Sequence, residues 1–123
     1  SVIGNTDPVC APVVGEIAPA AEFYDYDAKY NNAASILTIP ANLKPEVVEK
    51  LRRYAVKAYK ACECRGLSRV DFFVDKDSGE VFLNEINTMP GFTSISMYSK
   101  LWNASGLSYS ELINKLIDLA FVR

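Results

Sequence analysis

Two apolar-rich runs of strand length lie on either side of a polar stretch that contains Gly79. They span residues 67–74 and 81–87, and turn residues separate them. Runs of this length and composition predict a β-hairpin. Gly79 suits the last position of a three-residue loop, where the backbone usually has a positive φ, and Lys76 then lies opposite Glu80. The many apolar residues indicate a sheet that is covered on at least part of both faces.

Apolar residues at steps of three and four predict helices in the rest of the chain. The longest begins at Pro45, and its apolar positions extend to Cys62, which we therefore expect in the core. A short helix is predicted over residues 97–104. The last helix begins at a capping box formed by Ser108 and Glu111.

The N-terminal part of the chain is predicted to add two strands. Residues 1–4 begin inside a strand without a start signal, which indicates a piece of something longer. A second strand is expected over residues 12–17, after turn residues at 5–8. Residues 20–35 have no sustained period and are interpreted as an ordered loop, although their aromatic side chains could equally cover the edge of a core. The expected fold class is α+β, a mostly antiparallel sheet with packed helices.

Four polar side chains are predicted to share one face of the hairpin. Alternate residues of a strand point to the same side, which groups Arg69 with Asp71 and Glu85 with Asn87. Counting outward from the predicted turn brings Asp71 opposite Glu85 and Arg69 opposite Asn87. Facing carboxylates repel each other, so we expect a cation between them, and oxygen ligands of this kind suit Mg²⁺ or Mn²⁺. The alternative is a solvated hairpin face of mixed charge.

Composition and charge narrow the classes of function. The chain has 123 residues, half of them apolar, which is enough for one core. Its 13 basic and 15 acidic residues give a net charge of −2 without a basic stripe, so no nucleic-acid partner is expected. No apolar run approaches the ~20 residues of a membrane span. Histidine is absent, which leaves carboxylates, lysine, arginine or a metal for any chemistry.

Three strings in the sequence resemble one family. Residues 23–30 are FYDYDAKY, residues 68–71 are SRVD, and residues 84–96 are NEINTMPGFTSIS. In this order and at these separations they resemble the D-alanine-D-alanine ligases of the ATP-grasp superfamily. The resemblance implies that residues 1–123 are the C-terminal part of an ATP-grasp domain, with a mobile active-site loop at about 20–36. The resemblance implies that the full sequence of the ligase is more than twice as long as this chain. The fragment alone is therefore expected to be inactive.

The resemblance implies a role for each residue of the polar face. Asp71, Glu85 and Asn87 match the ligands of two magnesium ions, or of manganese in their place, that bridge the phosphates of ATP. Arg69 matches the arginine that faces the acyl phosphate intermediate, where a planar cation stabilises negative charge. The backbone amide of Gly91 would supply a second donor there.

The resemblance also implies contacts with the substrate and the nucleotide. Ser96 and Met97 match the positions that hold the carboxylate of the second D-alanine. Ile95 departs from the histidine that is frequent beside them in the family. Tyr24 would line the substrate chamber. Phe73 is a candidate neighbour of the adenine, unless it belongs to the core.

Three more residues of the expected loop are assigned by the same resemblance. Lys29 would contact phosphate, and Phe23 is a second candidate neighbour of the adenine. Tyr30 matches the tyrosine that positions the loop in ligases whose second substrate is D-alanine. Closure of such a loop excludes water, which would otherwise hydrolyse an acyl phosphate.

The function implied by the resemblance is an ATP-dependent ligase that joins two D-alanine molecules through D-alanyl phosphate. Such an enzyme would act in peptidoglycan precursor synthesis in the cytoplasm, as a homodimer without a membrane partner. One alternative is a D-alanine-D-serine ligase of the same family. Another is a nucleotide- or metal-binding module without catalysis, against which the joint presence of Lys29, Arg69, Asp71, Glu85 and Asn87 speaks.

Overall fold

A computed structural model describes residues 1–18 and 36–122, so nearly all of the predicted loop lies outside the described residues. The strands are β1 (Val2–Gly4), β2 (Val9–Cys10), β3 (Glu16–Ala18), β4 (Ile36–Thr38), β5 (Gly66–Val74) and β6 (Val81–Asn87). The helices are α1 (Pro45–Ala61), α2 (Met97–Ala104) and α3 (Tyr109–Phe121). The predicted α+β class is confirmed.

The main sheet has four strands in the order β2-β1-β5-β6, and all neighbouring pairs are antiparallel. A separate antiparallel pair is formed by β3 and β4. The predicted strand over 12–17 is wrong, because β1 pairs with the earlier residues Val9 and Cys10 and pairing resumes only at Glu16. Pro12 explains the interruption, since proline has no N–H to donate to a ladder.

Helices cover both faces of the sheet, as the apolar runs predict, but they cover one face only in part. On one face, Ala55 and Tyr59 of α1 pack with Val2, Val70 and Phe72. On the other face, α2 and α3 build the larger core around Tyr98, Leu101, Trp102 and Leu112, which Ile3 and Leu67 reach from the sheet. The second face becomes more exposed farther along β5, from Arg69 to Phe73.

The longest helix begins at Pro45 as predicted, but Cys62 is exposed and the prediction of a core cysteine is wrong. The buried stripe of α1 consists of Leu51, Ala55 and Tyr59, at steps of four. The next step would be residue 63, which lies beyond the end of the helix and has a positive φ of 52°. Cys62 therefore lies at the C-cap, off the buried stripe.

None of the helices in the described part of the chain combines the length and the apolar composition needed to cross a bilayer.

The predicted capping box at the start of α3 is confirmed. The Ser108 hydroxyl accepts a hydrogen bond from the Glu111 amide at 3.3 Å, and the Glu111 carboxylate accepts one from the Ser108 amide at 2.9 Å. The hydroxyl of Ser108 also donates to that carboxylate, at 2.6 Å. The hydrogen bonds from Ser108 hold the pKa of the Glu111 carboxyl below its usual value. The bond from the Ser108 hydroxyl has the larger effect, and the bond from its amide has the smaller one.

Replacing Ser108 with alanine is expected to destabilise the protein by about 1 kcal/mol at neutral pH, the usual loss for an N-cap. The stabilisation from a lowered carboxyl pKa is present above the unfolded-state pKa of about 4.3 and disappears as the pH falls through the lower folded-state value. Urea unfolding at pH 7 and pH 3 should therefore show a smaller difference between variant and wild type in acid. Ser110→Ala, two residues farther along in the first turn of α3, is the control, and an equal effect of both changes would contradict the capping role of Ser108.

Candidate functional site

The turn between β5 and β6 differs from the predicted three-residue loop. Val74 pairs with Val81, so the predicted pairing of Lys76 with Glu80 is wrong. The carboxylate of Asp75 accepts hydrogen bonds from the Ser78 amide at 2.7 Å and from the Ser78 hydroxyl at 2.8 Å. The Asp75 amide itself donates to the Glu80 carbonyl at 2.9 Å. Asp75 is therefore part of the hydrogen-bonded turn. Gly79 has the expected positive φ of 69°.

A β-bulge in β6 restores the predicted pairing at the site. Phe72 pairs with Leu83, whereas the next residue of β5, Asp71, pairs with Glu85, which leaves Asn84 as an extra residue. Bulges of this kind change which side chains share a face and are frequent beside active sites. The predicted pairs Asp71 with Glu85 and Arg69 with Asn87 are confirmed.

Arg69 supplies a cation to both facing acids. Its Nε lies 2.9 Å from Oδ1 of Asp71 and its Nη2 lies 2.8 Å from Oδ2, a two-pronged ion pair. The same Nη2 is 3.7 Å from Oε1 of Glu85. The hydrogen bond to Asp71 is the main reason why the pKa of the Arg69 guanidinium is raised. The guanidinium thus reduces the repulsion for which a cation was expected, and one negative charge remains among Arg69, Asp71 and Glu85.

The oxygen atoms on this face suit a hard divalent cation. In residues 1–18 and 36–122, no cluster of three or more His, Cys, Asp or Glu side chains could hold a metal, so the donors here are two carboxylates and one amide. The Asn87 Oδ1 accepts a hydrogen bond from the Met89 amide at 3.1 Å and keeps a second lone pair. Mg²⁺ is commonly bound by one or two carboxylates, with water and substrate phosphate completing the shell. The residues therefore fit the expected metal.

The loop after β6 brings Gly91 and Ser96 together. A Cβ atom on Gly91 would lie 3.3 Å from the Ser96 hydroxyl, so the absence of a side chain permits this approach. The same hydroxyl accepts from the Thr93 amide at 3.1 Å and is 2.9 Å from the Thr93 hydroxyl. Ser96 is also the N-cap residue of α2, but its side chain makes no capping hydrogen bond.

The remaining predicted residues divide into two groups. Met97 is the first residue of α2 and its side chain is buried, while Ile95 beside it is 74% exposed. Phe73 is 63% exposed on the face of Asp71, so the alternative that it belongs to the core is wrong. The four loop residues lie outside the described residues. They are Phe23, Tyr24, Lys29 and Tyr30.

One residue on this face was not predicted from the sequence. Phe82 lies opposite Phe73 and is 50% exposed. Counting residues outward from the predicted three-residue turn, without a bulge, would place Leu83 opposite Phe73. The pattern of apolar residues does not show the bulge at Asn84, so the pairing of Phe82 with Phe73 was missed. An asparagine next to a strand acid is too weak a signal to predict a bulge.

This chain is similar to proteins of the D-alanine-D-alanine ligase family. The family model for the D-ala D-ala ligase C-terminus matches residues 1–118. The D-alanine-D-alanine ligase of Acetivibrio thermocellus is 64% identical over 123 residues, covering 100% of this chain and 32% of that protein. The corresponding ligase of Clostridium acetobutylicum is 61% identical, covering 100% and 36%. The chain thus spans about a third of the length of these relatives.

Two solved structures extend the comparison. The VanG D-Ala:D-Ser ligase of Enterococcus faecalis superposes with a TM-score of 0.80 at 40% identity, covering 96% of this chain and 34% of that one. The D-alanine-D-alanine ligase of Bacillus anthracis, solved in complex with ATP, gives a TM-score of 0.74 at 32% identity, covering 98% and 38%.

Proposed function

This chain belongs to the D-alanine-D-alanine ligase family, and we propose that it forms the C-terminal part of a longer ligase that joins two D-alanine molecules. The reaction would consume ATP and yield D-alanyl-D-alanine, ADP and phosphate through D-alanyl phosphate. The observation that carries the proposal is the charged cluster on the sheet face that α2 and α3 cover only in part, where Arg69 binds Asp71 through two hydrogen bonds and also contacts Glu85. If the chain is the C-terminal part of such a ligase, the isolated fragment is inactive, because the rest of the ATP site lies in the remaining part of the enzyme.

In the proposed ligase, the polar face would hold and orient the phosphates of ATP. Asp71, Glu85 and Asn87 would hold Mg²⁺, which when bound neutralises phosphate oxygens and draws electron density from the phosphorus under attack. Arg69 would stabilise the negative charge that develops on the acyl phosphate and on the tetrahedral intermediate. Its fixed position on Asp71 means that little reorganisation is needed during the reaction.

The start of α2 would hold the carboxylate of the second D-alanine. The first amides of a helix have no partner within it and carry a partial positive charge. Ser96 and Met97 occupy this position, and the Ser96 hydroxyl is not used as a cap. The Gly91 amide, next to Ser96, would donate to the intermediate. A carboxylate bound here would direct the amine of the second substrate toward the acyl phosphate.

Substrate preference separates this proposal from the D-serine alternative, which the similarity to VanG favours as a second candidate. Given D-alanine mixed with an equal concentration of D-serine or D-lactate, the complete ligase should use ATP chiefly to make D-alanyl-D-alanine, with less of the D-serine dipeptide and least of the D-lactate ester. Product analysis by mass spectrometry identifies the dipeptide or ester formed. A preference for D-serine would support the second candidate, and no phosphate release with any of them would support a module without catalysis.

The loop assignments stay predictions, as do the number of magnesium ions, the homodimer and the cytoplasmic location. Lys29 would contact phosphate and Tyr30 would position the loop for D-alanine. Tyr24 would line the substrate chamber and Phe23 would lie near the adenine. These roles rest on the resemblance of the FYDYDAKY string at residues 23–30.

A further inference from the structure

Two of the three cysteines lie close together at the C-terminal end of α1, where the chain turns from the helix toward β5. All three thiols are free, and Cys62 is exposed, Cys64 is partly buried and Cys10 is buried in the core beneath α1. The thiol of Cys64 points back along the chain, with its Sγ 4.0 Å from the carbonyl oxygen of Cys62. The roles proposed above for the polar face involve neither thiol, so the pair is available for other chemistry.

The turn that follows α1 holds these two thiols together through backbone hydrogen bonds. The Glu63 amide donates to the Lys60 carbonyl at 3.0 Å. The Cys64 amide donates to the Tyr59 carbonyl, also at 3.0 Å. This is the hydrogen-bonding pattern of a Schellman motif, in which the residue after the cap is left-handed, and Glu63 has a positive φ of 52°. Cys64 is therefore folded back beside the last turn of the helix, where it packs against the core cluster that includes Tyr59.

The backbone geometry of this turn is compatible with a disulfide. A residue in a helical conformation of either hand places its two neighbouring Cα atoms about 5.4 Å apart, as follows from the radius and rise of the helix. Disulfides usually join Cα atoms that are about 4.4–6.8 Å apart. Glu63 has the φ of a left-handed helical residue, so the Cα atoms of Cys62 and Cys64 fall within that range.

We propose that Cys62 and Cys64 form a reversible thiol–disulfide modification site that reacts with small disulfides of the glutathione type. The thiolate of Cys62 attacks one sulfur of the small disulfide, forms a mixed disulfide and releases one small thiolate. The thiolate of Cys64 then attacks the Cys62 sulfur, which closes the Cys62–Cys64 disulfide and releases the second small thiolate. Two electrons pass from the two cysteines to the small disulfide, and the two protons of the cysteines pass through water to the released thiolates.

The surroundings of the two thiols indicate this order of attack. Cys62 is exposed and can be reached by a small disulfide, whereas Cys64 is partly buried. Burial is the main cause that raises the pKa of the Cys64 thiol, and the charge of a Cys62 thiolate beside it raises that pKa further. A mixed disulfide at Cys62 has no thiolate charge on that sulfur. Its formation therefore removes the second cause and makes Cys64 easier to ionise for the closing step.

The test maps the thiols of the complete protein by mass spectrometry after exposure to oxidised glutathione, with the remaining free thiols blocked by N-ethylmaleimide. Trypsin cuts after Lys60 and Arg65 and so releases residues 61–65, ACECR, which contain both thiols and no other cysteine. In the wild type this peptide should carry neither glutathione nor the blocking group, and it should be two hydrogen atoms lighter than its reduced form. Treatment with dithiothreitol should restore both thiols.

Substitutions separate the two steps. Cys64→Ser should leave a mixed disulfide with glutathione at Cys62, because no second thiol resolves it, and Cys64→Ala is the second variant if serine disturbs the turn. Cys62→Ser should slow the addition of glutathione to the peptide by roughly tenfold, since the remaining thiol is partly buried and ionises less readily. Cys10→Ala, at a buried position, is the control and should leave the disulfide of the wild type unchanged.

Three results would overturn the assignment. One is a wild-type peptide that stays reduced or keeps glutathione, which would mean that Cys64 does not close the disulfide. Another is a disulfide that joins Cys64 to Cys10 instead. The third is an unchanged rate of glutathione addition in Cys62→Ser. The peptide reports on the two thiols without ATP or D-alanine, so these results are independent of the proposed ligase function.

Discussion

Glu85→Gln in the proposed complete ligase is expected to lower the rate of phosphate release on the order of a thousandfold, because it would replace a proposed charged metal ligand with a neutral one of the same shape. A metal ion contributes several kcal/mol to the stabilisation of the transition state, and each 1.4 kcal/mol is about a factor of ten. Of the two acids, Glu85 is the better position at which to test the proposed metal site by mutation. Asp71 is held by Arg69 through two hydrogen bonds, so its replacement would also release the arginine.

The measurement is the rate of phosphate release with D-alanine over a wide range of Mg²⁺ concentrations. Glu80→Gln, an identical change at an exposed position in the turn of the same hairpin, should leave the rate close to that of the wild type. Asp71→Ala should abolish turnover, because it would remove both a proposed metal ligand and the partner of Arg69. Near-normal activity of Glu85→Gln at saturating Mg²⁺ would rule out the metal assignment.

Arg69→Lys is expected to reduce kcat by about a hundredfold to a thousandfold, the range found when a single donor to a developing anion is removed. The positive charge is kept, but the geometry is not. The guanidinium is held on Asp71 by two nitrogen atoms, and Nη2 is also 3.7 Å from Glu85. An ammonium group is a single point of charge on a flexible stem and cannot make this two-pronged contact.

Steady-state kinetics with varied D-alanine and varied Mg²⁺ distinguishes the role of Arg69 from metal binding. The loss should appear in kcat, while the Mg²⁺ concentration for half-maximal rate changes little. Arg65→Lys, at an exposed position just before β5, is the matched control. A variant that regains the wild-type rate at high Mg²⁺ would show that Arg69 acts only by balancing the charge of the acids.

The local features of this fold follow from neighbours in the sequence. Pro45 at the start of α1, the capping box of Ser108 and Glu111, and the positive φ of Gly79 depend on residues within one turn of the backbone. Their chemistry is visible without knowledge of the fold, and the structure confirms each of them. The resemblance to a ligase family is likewise carried by short contiguous strings.

Features that depend on distant packing could not be predicted in the same way. The pairing of β1 with Val9 and Cys10 depends on where Pro12 interrupts the ladder. The exposure of Cys62 depends on where α1 ends. Local periodicity describes each segment alone, whereas these outcomes depend on how two segments align and where each one stops.

The side of the β5-β6 hairpin that holds the charged cluster shows most clearly which features the sequence determined and which the tertiary structure decided. The sequence by itself determined that Arg69 shares a strand face with Asp71, and Glu85 with Asn87, because a strand alternates its side chains with a period of two. The bulge in β6 then brings these two pairs onto the same side of the hairpin. Only the tertiary structure decided that Arg69 lies between the acids and that Phe82 stands beside Phe73. The physical reason is that one extra residue in β6 shifts the pairing between the bulge and the turn that Asp75 stabilises, which turns Phe82 onto this face and Leu83 onto the opposite one.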